Sequence, residues 1–202
     1  MRCGAKWAVM SGTPTLSLDK VSVKRGGKLL ISELSLTLSG PNLLWVVGGN
    51  GIGKTSLLRT CAGLSRPETG QLSWALNKSA VAAPDIVSFL PSASYAKSGL
   101  KAGEDASFWN ADLVSGQIES CRNTLTQNLS TGQTKRLSFT KLLADKKPIW
   151  ILDEPLAGLD TRGRDLIATH LQSHVHAGGL ALVASHAPIA VQDIPTQRLI
   201  LE

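Results

Sequence analysis

Gly48-Gly49-Asn50-Gly51-Ile52-Gly53-Lys54-Thr55 decides the fold of this chain. It has the form G-x-x-x-x-G-K-T, it follows the apolar run Leu43–Val47, and it opens a stretch, Gly53–Ala62, that reads as a helix. A buried strand, a glycine-rich turn and a helix in that order make a phosphate cradle. The backbone N–H groups of the turn and the positive end of the helix face anionic oxygens. Glycine lets the backbone approach without a Cβ in the way. Lys54 is placed to reach the β- and γ-phosphates, and the Thr55 hydroxyl to ligate Mg²⁺. The candidate nucleotide contacts are Gly48, Asn50, Gly51, Gly53, Lys54, Thr55 and Ser56.

A second apolar run, Ile149-Trp150-Ile151-Leu152, ends in Asp153-Glu154. A strand ending there presents the Asp153 carboxylate at the carboxyl edge of a sheet, where ligands bind in open α/β folds. Its expected role is to hold Mg²⁺, through water. Strand alternation points Glu154 away from Asp153, and Glu154 is read as the general base that orients an attacking water.

Working outward, Thr15–Val23 and Leu29–Leu38 alternate apolar and polar residues, with a turn at Gly26-Gly27. Gln71–Ala75, Ile86–Leu90, Leu180–Ala184 and Arg198–Leu201 read as further strands, and Thr131–Ala144 and Arg162–His176 as helices. From Pro91 to Asn128 strand signals vanish and a polar, helix-compatible region follows. Strands alternating with helices predict an α/β fold with a parallel core sheet. The early antiparallel strands and a helical insert over about residues 91–144 decorate it. The expectation is one domain over residues 1–202, with a tail over 1–14.

Composition narrows the function. The 202 residues suffice for a real core, and 43% hydrophobic content is that of a globular chain. No apolar run approaches the roughly 20 residues of a membrane span. The formal charge is +6, but no block of five basic residues and no basic–aromatic interleaving occurs, so no nucleic-acid partner is expected. Cys3, Cys61 and Cys121 form no C-x-x-C pair and read as free thiols in a reducing compartment. Residues 1–14 are too short and polar for a secretory signal, and Met10 is an alternative start.

Leu129-Ser130-Thr131-Gly132-Gln133 lies between the glycine loop and Asp153. With that motif the chain resembles the ATP-binding-cassette (ABC) ATPases over nearly its whole length. Thr131 departs from the usual glycine or alanine of their signature. The resemblance implies a P-loop NTPase fold and ATP with Mg²⁺ as ligands. It also implies a homodimer in which Ser130, Gly132 and Gln133 touch the γ-phosphate held by the partner. Ala157-Gly158-Leu159-Asp160 resembles the loop that crosses the dimer interface, and His186 the histidine that contacts the γ-phosphate. Arg25 stands where the family stacks an aromatic ring on adenine, a role a guanidinium can also fill. Ala93 stands where the family has a glutamine that senses the metal and couples to the membrane subunit. Coupling would then run through a neighbour such as Ser92 or Ser94, or hydrolysis is slow.

Within ABC proteins the chain resembles the ATP-binding subunits of cytochrome c maturation. The likeness rests on Glu33–Leu38, on Gly63-Leu64-Ser65-Arg66-Pro67 with Gly70 and Trp74, on Trp150–Leu156 and on Gly178-Gly179. It implies the integral membrane subunits CcmB, with CcmC, as partners. The work would be haem export, or haem release from its chaperone. The place would be the cytoplasmic face of the bacterial inner membrane, with a mitochondrial location as the alternative. Two other readings stand beside this one: an ATP-driven clamp with little turnover, motivated by Ala93, and the ATPase of another small exporter.

Overall fold

The computed structural model describes residues 12–93 and 96–202. Cys3, Met10 and most of the tail, and also Ser94, lie outside the described residues. Five parallel strands form the central sheet: β3 (Asn42–Val47), β6 (Val87–Leu90), β7 (Ile149–Asp153), β8 (Leu180–Ala184) and β9 (Thr196–Ile200). Their order is β6-β7-β8-β3-β9. A second, antiparallel sheet has the order β2-β1-β4-β5, from β1 (Pro14–Arg25), β2 (Lys28–Ser39), β4 (Thr69–Leu76) and β5 (Ser79–Val81).

The two faces of the parallel sheet feed separate cores. Every residue of β7 and β8 is buried, so these strands read as continuous apolar runs. Leu44, Val46, Ile149, Ile151, Leu180 and Leu182 point into one core. There they meet α1 (Lys54–Cys61) through Leu57 and Leu58, and the antiparallel sheet through Leu16, Leu18 and Leu38. Leu43, Trp150, Leu152, Ala181 and Val183 point the other way. They meet Phe139 and Leu142 of α4 (Thr131–Asp145), and Ile167, Leu171 and Val175 of α5 (Thr161–His176). The period of two along each strand thus assigns each side chain to its layer.

Three expectations are corrected. Ile86 ends a one-turn helix, α2 (Ala83–Ile86), because Pro84 sits in its first turn and fits there; the strand begins at Val87. β5 is added by a two-residue hairpin turn in which Asn77 and Lys78 both have positive φ and Leu76 pairs with Ser79. That turn lacks the glycine that would have announced it. The insert is less helical than its composition suggests. Among the described residues of 91–128 it holds only α3 (Ala102–Phe108) and the single 3₁₀ turns Glu119–Cys121 and Thr126–Asn128. The Asp112 carboxylate accepts from the backbone N–H groups of Val114 and Ser115, and such a local bond competes with a helix. Asn110 and Gln117 adopt positive φ, which also interrupts one. A small third core of Ala102, Ala106, Leu113, Ile118 and Cys121 closes the insert onto Leu137 of α4.

An aromatic ladder ties α4 and α5 to β7. Phe139 meets Trp150 edge-on at 6.1 Å, and Trp150 stacks on His174 at 3.9 Å. Burial pushes the His174 pKa from 6.5 down to about 4, against the opposing hydrogen bonds that its ring donates to the Leu180 and Pro148 carbonyls. His170, beside Phe139, is lowered by burial as well. A folded state that keeps His174 neutral binds fewer protons than the unfolded chain between those two values. The stabilisation is complete above pH 6.5 and drains as pH falls toward 4. Between pH 7 and pH 5 His174 alone should remove roughly 2 kcal/mol of stability. Urea unfolding at both values should show a smaller loss in His174→Phe, which keeps a stacked ring and cannot titrate.

Candidate active site

The site lies at the carboxyl ends of the parallel strands, in a cleft of about 590 Å³. β3 delivers the glycine loop and α1 leaves it. Gly51 and Gly53, at φ 78° and 121°, sit where side-chain-bearing residues are strained. A Cβ on Gly53 would also stand 3.0 Å from Leu30. α1 has no acidic residue in its first turn and no side-chain cap, so its N–H groups stay open to an anion. Lys54 is buried. Its ammonium donates to the carbonyls of Gly48 and Gly49 at 2.8 and 2.9 Å and lies 3.2 Å from His186 Nε2.

The Thr55 hydroxyl donates to Asp153 Oδ2 at 2.9 Å. Asp153 is 1% exposed, and its Oδ1 is buried without a hydrogen-bond partner. Glu154 Oε1 is in the same condition, at 3.4 Å from His186 Nε2. Unpartnered carboxylate oxygens are costly to bury, and a cation relieves the cost. Oxygen donors on Thr55 and Asp153, with no cluster of three or more metal-binding side chains among the described residues, suit Mg²⁺. That ion binds through one or two protein oxygens and completes its shell with phosphates and water.

Glu154 departs from the expected alternation. Its φ is 48°, so the chain leaves the strand conformation immediately after Asp153. Asp153 and Glu154 therefore line the same cleft. The Glu154 N–H donates to Ala184 O at 2.8 Å, and its C=O accepts from Lys135 Nζ at 2.7 Å. The His186 N–H points at Glu154 Oε2 from 3.4 Å.

Arg25, Asn50, Gly51, Gly53, Lys54, Thr55, Ser56, Asp153, Glu154 and His186 thus share one cleft. Lys28 and Leu30, not read from the sequence, line it too, as do Ser92 and Ala157. The first two arrive because the β1–β2 hairpin folds over the glycine loop, a tertiary contact with no local signal. Ala93 is exposed and is absent from the lining, where its neighbour Ser92 stands.

Ser130, Gly132, Gln133 and Asp160 are not brought to this cleft. Ser130 caps α4: its hydroxyl accepts from Gln133 N–H at 3.2 Å, while Gln133 Oε1 accepts from Ser130 N–H at 2.8 Å. Asp160 caps α5 through Gly163 N–H and pairs with Arg136. Those two bonds hold its carboxyl below the usual range, the backbone bond being the larger cause. Gly132 abuts the carbonyl of Gly158, where a Cβ would stand 3.1 Å away. The signature segment, Gly158 and Asp160 therefore lie together outside the lining of the cleft, while Ala157 lines it.

The ABC transporter family profile matches residues 31–157. The cytochrome c biogenesis ATP-binding export protein CcmA of Roseobacter denitrificans is 35% identical, over 89% of this chain and 87% of its own. That of Albidiferax ferrireducens is 30% identical, over 94% and 98%. Among solved structures, an ABC transporter ATP-binding protein from Pyrococcus furiosus superposes with a TM-score of 0.74 at 20% identity, covering 92% of this chain and 97% of its own. A dimeric post-hydrolysis cassette bound to ADP and Pi superposes with a TM-score of 0.73 at 18% identity, covering 85% and 88%. With the strand–glycine loop–helix cradle, the Asp153-Glu154 strand end and these relatives together, the chain belongs to the ABC transporter ATP-binding family and, within it, to the CcmA cytochrome c biogenesis export proteins.

Proposed function

We propose that this chain is the ATP-hydrolysing subunit of a transporter for c-type cytochrome biogenesis. It would bind Mg-ATP, pair with a second copy and drive integral membrane subunits of the CcmB and CcmC type, in haem export or haem release from its chaperone. The observation that carries the reading is one cleft that gathers Lys54, the Thr55–Asp153 pair and the Glu154–His186 pair.

The glycine loop and α1 hold the phosphates, and Lys54 neutralises the β- and γ-phosphate oxygens. Thr55 and Asp153 hold the metal, which when bound offsets charge on the phosphates. Glu154 accepts the proton of the attacking water or orients it, and His186 bridges Glu154 to the γ-phosphate side near Lys54. Arg25 offers a flat cation to the adenine. Ser130, Gly132 and Gln133 do not line this cleft, and in the proposed pair they act on the nucleotide of the second copy, across the surface that includes Asp160. A two-fold pair uses each such surface twice, and the dimeric cassette of the same fold supports that arrangement.

No helix among the described residues is long and apolar enough to cross a membrane. Peripheral attachment at the cytoplasmic face of the inner membrane fits a subunit that docks on membrane partners. The docking site would be the groove of about 660 Å³ beside α3, where Phe108 and Trp109 are 73% and 53% exposed. Aromatic residues of that size are common anchors at interfaces.

Glu154→Gln should lower ATP turnover of the complex by roughly 10²–10⁴-fold while retaining nucleotide binding. A variant that turns over like the wild type removes Glu154 as the base. Affinity capture from solubilised native membranes should recover the cytochrome c maturation membrane subunits with the wild type, and lose them with Phe108→Ala/Trp109→Ala. Recovery of a different permease would keep the ATPase and overturn the cytochrome assignment.

Ala93 favours a second reading, a clamp that closes on ATP and rarely turns over. If Ser92 supplies the polar group of that loop, Ala93→Gln should leave turnover within about twofold. A sharp rise in turnover would support the clamp.

A further inference from the structure

We propose that Lys135 is a positioning residue for ATP hydrolysis, holding the Glu154 backbone in the turn that aims its carboxylate into the cleft. The proposal rests on Glu154 being the general base. Lys135 is 2% exposed, and its ammonium donates to the Glu154 carbonyl at 2.7 Å. A buried ammonium is expensive and needs a specific partner. Desolvation lowers its pKa, opposed by the nearby charges of Glu154 and then Asp153. The lysine is thus set against the acidic pair itself.

The need for such a clamp comes from the backbone. A left-handed φ at a glutamate is disfavoured and persists only where the surroundings enforce it. Its two backbone groups are bound from opposite sides. β8 takes the N–H through Ala184 O, and Lys135 takes the C=O. Releasing the carbonyl would let the residue relax toward strand geometry, which turns the side chain out of the cleft. A charged donor is stronger than a neutral one, which suits a strained site.

Lys135 also lies on α4, the helix that Ser130 caps and whose first turn holds Gly132. Arg136, next in sequence, grips Asp160 at the far end of the same loop. α4 therefore holds the 154–160 segment at two points. Any displacement of α4 by a nucleotide on the partner copy reaches Glu154 through the Lys135 bond.

The test is a double-mutant cycle in the complex with its membrane partner, using single-turnover hydrolysis of radiolabelled ATP and mant-ATP fluorescence for binding. Lys135→Met keeps the stem and removes the donor. It should lower the hydrolytic rate by about tenfold to a hundredfold and shift mant-ATP affinity by no more than about twofold. Lys135→Arg, which still donates, should restore most of the rate. In the Glu154→Gln background Lys135→Met should cost no further rate, because it acts through Glu154. An equal loss in both backgrounds, a fall in mant-ATP affinity that matches the fall in rate, or an unchanged rate would overturn the proposal. If Lys135→Met does not fold, Lys135→Gln, whose amide stops one bond short, enters the same cycle. A Glu154→Gln variant with full activity would instead overturn the base assignment, so the two failures are distinguishable.

Discussion

The hydrogen bond from Thr55 to Asp153 is the contact on which the site depends. It joins the first turn of α1 to the end of β7, two elements that the chain reaches almost a hundred residues apart. β8 lies between β7 and β3 in the sheet, so the two strand ends are held in fixed relation by two parallel ladders. A parallel sheet buried on both faces cannot slip by one residue without sending each strand's side chains into the opposite core, whose close packing they do not fit. That constraint places a carboxylate and a hydroxyl within bonding distance at one edge. The glycine loop needs only to fold back on the Lys54 ammonium to complete the cradle.

The same edge concentrates unfavourable features. Asp153 is buried with one oxygen unpartnered, Glu154 is buried in part and bent into a left-handed turn, and Lys54 and Lys135 are buried cations. Each is destabilising alone. Together the charges oppose one another in sign, and both acidic residues line the cleft. Strain and unsatisfied groups of this kind gather at functional sites, and the fully buried strands beneath are rigid enough to hold them.

The second polar surface follows a different logic. Ser130, Gln133 and Asp160 spend their hydrogen bonds on capping α4 and α5, which fixes the helix ends rather than a ligand within the same chain. Gly132 is small because the carbonyl of Gly158 stands against it. The result is a preformed, partly polar face beside the cleft, with helix N-termini aimed outward. Such a face suits coverage by another molecule, and in the proposed pair that molecule is a second copy.

The strand runs, the glycine loop and the Asp153-Glu154 pair were legible in the sequence because each is a local pattern with a local cause. Alternation and apolar runs report burial, and G-x-x-x-x-G-K-T reports backbone freedom beside a helix start; the bonds by which Ser130 and Gln133 cap α4 came only with the structure. The β5 hairpin was not legible, because Asn77-Lys78 adopts positive φ without the usual glycine. The insert was overread as helical, because side-chain bonds such as those of Asp112 compete with the helix and leave no periodicity. The sequence by itself determined an α/β nucleotide-binding chain and named most residues of its cleft. Tertiary structure alone decided the direction of Glu154, the arrival of Lys28 and Leu30 over the loop, and the burial of Lys135 beneath the acidic pair. Those features depend on which distant segments meet, and contacts across a folded sheet have no signature in the residues on either side.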